Sequence, residues 1–396
     1  MDIKTIKSWL EPLYNILRSK FEPNEMRCIV LSLLFLRLYS ESRDKKDIWE
    51  TKQAKSLFDV LPKSNKYVSI ISEFLFSAEN YLSRLTPNDF DKIIKKIKSV
   101  SFEENDISDI LGTANEYYLS AFGIKSAQLN GIFYTPESVA DLMALLIGFD
   151  DIKTVYDPAC GSGRLLSATD RIRYSAGIEK RLCGQEIDYI GYIVSNMNAF
   201  LDNLNFDIKR YNALSEPQFT EKFDVVIANP PYNDEFISED VRLSLGFDIP
   251  VKNGDWAWIL NCFNALNDNG RAIILIDDGA FNRDGKEGVI RKSFVENDFI
   301  SGVVSLPGNI FSNTGTRATI LLLDKNKTPE NKSKVMFIDG QSKYIVVDKT
   351  KTLTQSNIEE IFTAWCGNLM KNGFSAYVDN SAIADCGYIL TPQRYV

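Results

Sequence analysis

From Gly131 onward, short runs rich in β-branched residues alternate with helical stretches, and no other feature of the 396-residue chain constrains its fold as tightly. The runs are Thr154–Tyr156, Leu182–Ile187, Phe223–Ala228, Arg271–Ile276, Ile300–Leu306 and Thr319–Asp324. Strands separated by helix-length intervals need crossover connections, so this pattern predicts βαβ units, a mainly parallel sheet and an α/β fold. The preceding segment reads differently. Leu10, Leu13 and Leu17, then Leu31, Leu34, Phe35 and Leu38, recur at the three- and four-residue spacing of helices. Pro23, Pro62 and Pro87 punctuate it, and Thr86-Pro87-Asn88-Asp89 is a start signal for a helix running to Lys98. Three regions are expected: a helical domain over 1–125, a core over 126–330 and, beyond the polar stretch Asp324–Lys334, a small α/β extension over 331–396.

Composition narrows the chemistry. The chain has no histidine, which excludes Ser-His-Asp and Cys-His catalysis and any histidine-ligated metal; no metal site is expected. The formal charge of −8 argues against a surface that grips nucleic acid by bulk electrostatics alone. The six cysteines (28, 160, 183, 262, 366, 386) form no CxxC pair and are read as buried, reduced thiols. The opening MDIKTIKSWLEPLY has no signal-peptide core, and the apolar run Ile29–Leu36, about eight residues, is too short to span a bilayer. A soluble, cytoplasmic protein with no membrane partner is the expectation.

Two motifs carry chemistry. Asp157-Pro158-Ala159-Cys160-Gly161-Ser162-Gly163 lies between a predicted strand and the helical run Arg164–Ile172. A glycine-rich turn there lets backbone approach a nucleotide-like ligand, although a tight strand-to-helix turn alone also explains the glycines. It lacks GxGxxG and the phosphate-loop lysine. The next run ends at Glu186, 23 positions past Gly163, where a carboxylate can accept from both ribose hydroxyls. Together they point to an adenosine-containing cofactor. The second motif, Asn229-Pro230-Pro231-Tyr232, follows the apolar strand Phe223–Ala228. Two prolines cannot continue a central strand and give a stiff exit. Asn229 offers a side-chain carbonyl, Pro230 a backbone carbonyl and Tyr232 a flat ring, a set suited to an exocyclic amine on a planar base.

With these residues the chain resembles the amino-methyltransferases that use S-adenosylmethionine, and specifically the modification (methyltransferase) subunits of type I restriction-modification systems, adenine-specific DNA methyltransferases of the gamma order. Gly131-Ile132-Phe133-Tyr134-Thr135-Pro136 resembles the family's FYTP motif, and Leu111-Gly112 through Glu116-Tyr117 the segment before it. Asp278-Gly279-Ala280-Phe281, Ile290-Arg291, Leu306-Pro307, Ile310-Phe311 and Thr314-Gly315 follow in the family's order. The ending Leu390-Thr391-Pro392-Gln393-Arg394-Tyr395-Val396 is similar to its LNPxRYV, and Glu25 with Leu31–Tyr39 to its helical N-terminal domain. The resemblance covers nearly the whole chain. Two positions depart from it: Glu137 replaces a common basic residue, and Asn212 stands where an acid often lies beside the cofactor adenine.

The resemblance implies a Rossmann-like methyltransferase domain with a mostly parallel, doubly wound sheet behind a helical domain that meets DNA and partners. It implies S-adenosyl-L-methionine held by Tyr134, Thr135, Pro136, Asp157, Gly161, Ser162, Gly163, Glu186 and Asn212, and methyl transfer to a flipped adenine by Asn229, Pro230, Pro231 and Tyr232. Double-stranded DNA is then the substrate, with a specificity subunit carrying the target-recognition domains, and a second copy and a restriction subunit as further partners. Competing readings are methylation of a protein glutamine or of a cytosine amine, and a modification-like subunit kept only for docking to DNA. Cys160, inside the glycine turn, is read as packing, Trp256 and Trp258 as core or interface on a helix before the fifth strand, and Asp277-Asp278 as a solvated strand end.

Overall fold

The computed structural model describes residues 3–43, 46–50, 54–100, 109–121, 134–148, 152–173, 180–232, 237–250, 254–311, 317–347 and 350–396. Of the motifs above, Gly131–Phe133 and Thr314-Gly315 lie outside them. The chain groups into two units: one holds residues 1–124, 161–163 and 188–206, the other 125–160, 164–187 and 207–396.

The first unit is helical: α1 (Ile3–Leu17), α2 (Pro23–Ser42), α3 (Ala54–Phe58), α4 (Lys66–Leu82), α5 (Pro87–Lys98) and α6 (Ile110–Ala121). The apolar spacing places Leu10, Leu13 and Leu17 of α1 and Leu31, Leu34, Phe35 and Leu38 of α2 in its core. Helix α2 is buried on nearly every side, which explains its unbroken apolar run. Glu22 and Glu25 close a reciprocal cap at its start. Thr86 caps α5 by accepting from the Asp89 amide at 3.2 Å, and Lys95, Lys96 and Lys98 lie in its last turn, where the helix dipole favours cations. Among the described residues no helix is long and apolar enough to cross a membrane.

The second unit is built on a nine-stranded sheet. Its strands are β1 (Thr154–Asp157), β2 (Arg181–Gln185), β3 (Phe206–Lys209), β4 (Phe223–Ala228), β5 (Leu266–Asp277), β6 (Ile300–Ser305), β7 (Ala318–Asp324), β8 (Lys334–Asp339) and β11 (Ser375–Asp379), in the order β11-β8-β6-β7-β5-β4-β1-β2-β3, while β9 (Ile345–Val347) and β10 (Thr350–Thr352) form a separate antiparallel pair. The pairs β1–β2, β1–β4, β4–β5 and β6–β8 are parallel; β7 runs antiparallel to β5 and β6, and β11 to β8. The expected mostly parallel α/β sheet is the observed one. Helices α7 (Glu137–Leu146), α8 (Arg164–Arg173), α10 (Glu239–Ser244), α11 (Asp255–Ala265), α12 (Lys286–Glu296) and α13 (Gln355–Trp365) belong to this unit, while α9 (Tyr189–Leu201) groups with the helical one.

Strand cores follow from composition. Val155, Val225, Val226 and Ile227 are buried, the near-continuous apolar pattern of strands covered on both faces, and Tyr156 stacks on Phe223 at 4.7 Å. Trp256 and Trp258 are core residues of α11, and the Trp256 indole donates to the Ala280 carbonyl at 3.1 Å.

Two sequence expectations need correction. Cys366 and Cys386 are exposed, because both sit just past the ends of surface helices; the other four thiols are buried as expected. Asp277 and Asp278 are half-buried rather than solvated: Asp277 accepts from the Gly279 amide at 2.6 Å, and Asp278 from the Thr319 hydroxyl at 2.8 Å, to shape the turn after β5.

Candidate active site

In the sheet order β1 is flanked by β2 on one side and β4 on the other, so the chain's direction of travel reverses between β1 and β4. Crevices at the carboxyl ends of strands beside such a reversal are where open α/β sheets bind ligands. Tyr156 pairs with Val226, and Asp157 with Gly184, so Asp157, Glu186 and Asn229 leave three adjacent parallel strands at one edge. Register thus brings together residues that the sequence singled out separately.

Asp157 ends β1 with 1% exposure, and its carboxylate accepts from the Ala159 amide at 3.0 Å. Burial, reinforced by the charge of Glu186, pushes its pKa up to about 8 despite that hydrogen bond. Cys160 is buried beside it; its amide donates to the Gln185 carbonyl at 2.9 Å, and its sulfur lies 2.9 Å from where a Cβ on Gly184 would sit. Burial raises its thiol pKa well above the usual range, which fits packing rather than nucleophilic chemistry. Gly161 and Gly163 have φ of +54° and +83°, the left-handed region that favours glycine. A Cβ on Gly161 would meet no atom within 4 Å, so backbone conformation rather than crowding requires glycine there. Ser162 between them is buried.

Glu186, half-buried after β2, donates its amide to the Lys209 carbonyl at 3.0 Å. Asn212 is also half-buried; its side-chain oxygen accepts from the Leu214 amide at 2.9 Å, a local turn that an aspartate would make equally well. Tyr134 is half-buried, and Pro136 is the residue before α7, its carbonyl accepting from the Val139 and Ala140 amides at 3.0 Å.

Thr135 and the Asn-Pro-Pro-Tyr exit form one hydrogen-bonded chain. The Tyr232 hydroxyl donates to Asn229 Oδ1 at 2.9 Å, and Asn229 Nδ2 donates to Thr135 Oγ1 at 3.0 Å. Arg164 Nη1 donates to the Thr135 carbonyl at 2.5 Å, tying that strand exit to the start of α8. Together the two hydroxyls hold the plane of the Asn229 amide from both of its ends. Pro230 is buried, Asn229 and Pro231 half-buried. The Tyr232 ring is only 4% exposed and meets Phe311 edge-on at 6.1 Å, so it does not present the open face that sequence alone suggested. Phe311 enters the site through this contact.

Two residues of the helical unit escaped the sequence reading. Asp109 and Asn198 bond to Ser162, and no short-range pattern links positions so far apart in the chain.

The chain is similar to known proteins in both sequence and fold. The model of the N-6 DNA Methylase family matches residues 106–396. A type I restriction enzyme methylase subunit from Methanocaldococcus jannaschii is 31% identical over 377 residues, 88% of this chain and 64% of the relative. Another from Mycoplasma pneumoniae is 32% identical over 321 residues, 74% of this chain and 58% of the relative. The chain therefore spans about three fifths of the length of these curated relatives. In fold it is similar to the methyltransferase subunit of a type I restriction-modification system from Streptococcus thermophilus, with a TM-score of 0.79 at 24% identity over 100% of both chains. With its glycine turn and Asn-Pro-Pro-Tyr exit on neighbouring strand ends and a family model matched over most of its length, the chain belongs to the N-6 DNA Methylase family.

Proposed function

We propose that the protein is a site-specific DNA adenine methyltransferase and acts as the modification subunit of a type I restriction-modification system. The observation that carries this reading is the Asn229 amide, set at the end of β4 and held at both of its ends by the hydroxyls of Thr135 and Tyr232. The donor set suits S-adenosylmethionine: a buried acid at Asp157, a half-buried carboxylate at Glu186 and a turn whose glycines adopt positive φ. In this reading Tyr134, Thr135, Pro136, Asp157 and the Gly161–Gly163 turn take the methionine end, Glu186 the ribose and Asn212 the adenine side.

When bound, S-adenosylmethionine supplies a sulfonium-activated methyl group. The adenine amine is a poor nucleophile because its lone pair is delocalised into the ring. Asn229 Oδ1 and the Pro230 carbonyl accept its two N–H bonds, which favours a pyramidal nitrogen with its lone pair free to attack. Tyr232 releases Asn229 and swings its ring to stack on the flipped base, offsetting part of the few kcal/mol that flipping costs. Proton loss from the methylated amine would need no protein base, so the residues' part is to hold and aim the nitrogen. This is catalysis by position and preorganised acceptors, and a chain without histidine can perform it.

The helical N-terminal region, residues 1–125, is assigned to DNA and partner contacts, the 126–330 core to catalysis and 331–396 to its extension. A separate specificity subunit chooses the site on double-stranded DNA, joined by a second copy and a restriction subunit, all in the cytoplasm. The names of the relatives, methylase subunits of type I restriction enzymes, support this assembly.

The decisive experiment is Asn229→Ala. We expect N6-methyladenine to fall at least ~1,000-fold, as for loss of a central preorganised group, while S-adenosylmethionine affinity by calorimetry changes less than about threefold. Undiminished methylation would refute the assignment. Binding of DNA with no cofactor affinity in the native protein would instead favour the docking-only reading.

A further inference from the structure

The glycine turn contains one residue that cannot rearrange freely. Ser162 is 3% exposed between Gly161 and Gly163, the two positions of the turn with positive φ. Its hydroxyl donates to Asp109 Oδ2 at 2.6 Å, and its carbonyl accepts from Asn198 Nδ2 at 3.0 Å. The same Nδ2 donates to Asp109 Oδ1 at 2.7 Å, and that oxygen also accepts from the Gly112 amide at 2.8 Å at the start of α6. All four residues group in the helical unit.

Asp109 itself is unusual. Its φ is +50°, a conformation that non-glycine residues rarely hold unless their side chain is bonded locally. A Cβ at Gly112 would stand 2.3 Å from Asp109 Oδ1, so glycine is required there for the carboxylate to reach its place. A carboxylate in a residue only 6% exposed is tolerable because it accepts from the Ser162 hydroxyl, the Asn198 amide and the Gly112 backbone N–H. Gly163 is held from another direction: a Cβ on it would lie 2.8 Å from the Phe206 ring, and the Phe206 amide donates to the Tyr67 hydroxyl at 2.8 Å.

We propose that Asp109 and Asn198 are positioning residues for the cofactor-binding turn. They hold Ser162 by both its hydroxyl and its carbonyl and so keep the two flanking glycines in the ligand-competent conformation before ligand arrives. A glycine-serine-glycine segment without that anchor samples many backbone states, and apparent affinity falls in proportion to the competent fraction. The inference rests on the S-adenosylmethionine reading for its ligand but not for its geometry.

The test uses Asp109→Gly in the full chain, because glycine keeps φ +50° unstrained and removes only the carboxylate. Asn198→Leu is the second variant, which leaves the Asp109–Gly112 cap in place, and Asp109→Asn is the conservative rescue. S-adenosylmethionine binding by calorimetry should weaken about tenfold in the first two variants if a tenth of the turns remain competent. With saturating cofactor, kcat should stay within about twofold, and the rescue variant should bind within about threefold of the native protein. Hydrogen exchange over residues 158–165 without ligand should quicken in both disruptive variants. Folded variants with native exchange over the turn, or with native affinity, overturn the inference; so does a fall in kcat at unchanged affinity. If the native protein fails to bind S-adenosylmethionine, the functional reading falls, and the exchange measurement still decides the positioning.

Discussion

The glycine turn and the Asn-Pro-Pro-Tyr exit are anchored by opposite means. In the turn, Ser162 is buried, its hydroxyl donating to the Asp109 carboxylate and its carbonyl accepting from the Asn198 amide, while Asp109 also accepts from Asn198 and from the Gly112 backbone N–H. At the exit, Asn229 is half-buried, and its amide meets the neutral hydroxyls of Tyr232 and Thr135. Charge-assisted bonds are about twice as strong as neutral ones and are costly to break when buried. In the proposed function the difference separates two tasks. A turn assigned to binding gains from rigidity, whereas Asn229, assigned to accept a substrate's N–H, needs a resting partner it can exchange.

That contrast can be broken experimentally. The larger effect is expected at Thr135, whose hydroxyl holds one end of the Asn229 amide. Thr135→Val should lower kcat roughly tenfold, the worth of about 1.4 kcal/mol of lost positioning, and Thr135→Ser should restore it. Steady-state rates at saturating cofactor read this out; an unchanged kcat in the valine variant would show that the Thr135 contact orients nothing.

Tyr232→Phe should act more gently and in the opposite direction. It removes the hydroxyl that competes for Asn229 Oδ1 and keeps a ring that can stack. The Michaelis constant for DNA should fall about fivefold, the equivalent of ~1 kcal/mol for one neutral hydrogen bond. A rise would mean that the hydroxyl serves the bound base rather than the resting state.

Asp157 sharpens the comparison through pH. Its pKa, about 8 in the fold against an ordinary 3.8, means that the folded protein favours the neutral acid. Stability contributed by the protonated acid is present below the ordinary value and is lost as pH rises toward 8. Asp157→Asn cannot ionise, so its melting temperature should gain on the native protein between about pH 4 and 8, with the gap constant above that. A gap independent of pH would place the Asp157 carboxyl in its ordinary range. In the same window a cationic ligand should bind the native protein more tightly as pH rises, since it favours the ionised carboxylate.

Much of this was legible from short-range pattern. The Thr86 cap, the burial of Leu10, Leu13 and Leu17, and the strand before Asn229 each depend on neighbours within a few residues, where periodicity and capping chemistry act. Other features were not. Strands β8 and β11 carry no signal telling that they extend the main sheet, since edge pairing depends on which partner strand is available. Helix α9 lies between β2 and β3 in the chain yet groups with the helical unit, where Phe200 meets Phe35 at 5.8 Å and Phe74 meets Tyr189 at 6.3 Å. Tyr232 reads as an exposed stacking ring until Phe311, far along the chain, is seen to cover it.

The sequence by itself determined the kind of chemistry: a chain without histidine, with glycines at a strand end and an Asn-Pro-Pro-Tyr exit at another, can orient an amine but has no imidazole base. Local covalent geometry is enough for that, because proline, glycine and amide side chains impose their constraints wherever they stand. Only the tertiary structure decided which groups hold those motifs still. Asp109 reaches Ser162, Asn198 reaches both, and Thr135 reaches Asn229 across long intervals of chain. Hydrogen bonds extend about 3 Å and carry no memory of sequence separation, so packing alone assigns their partners.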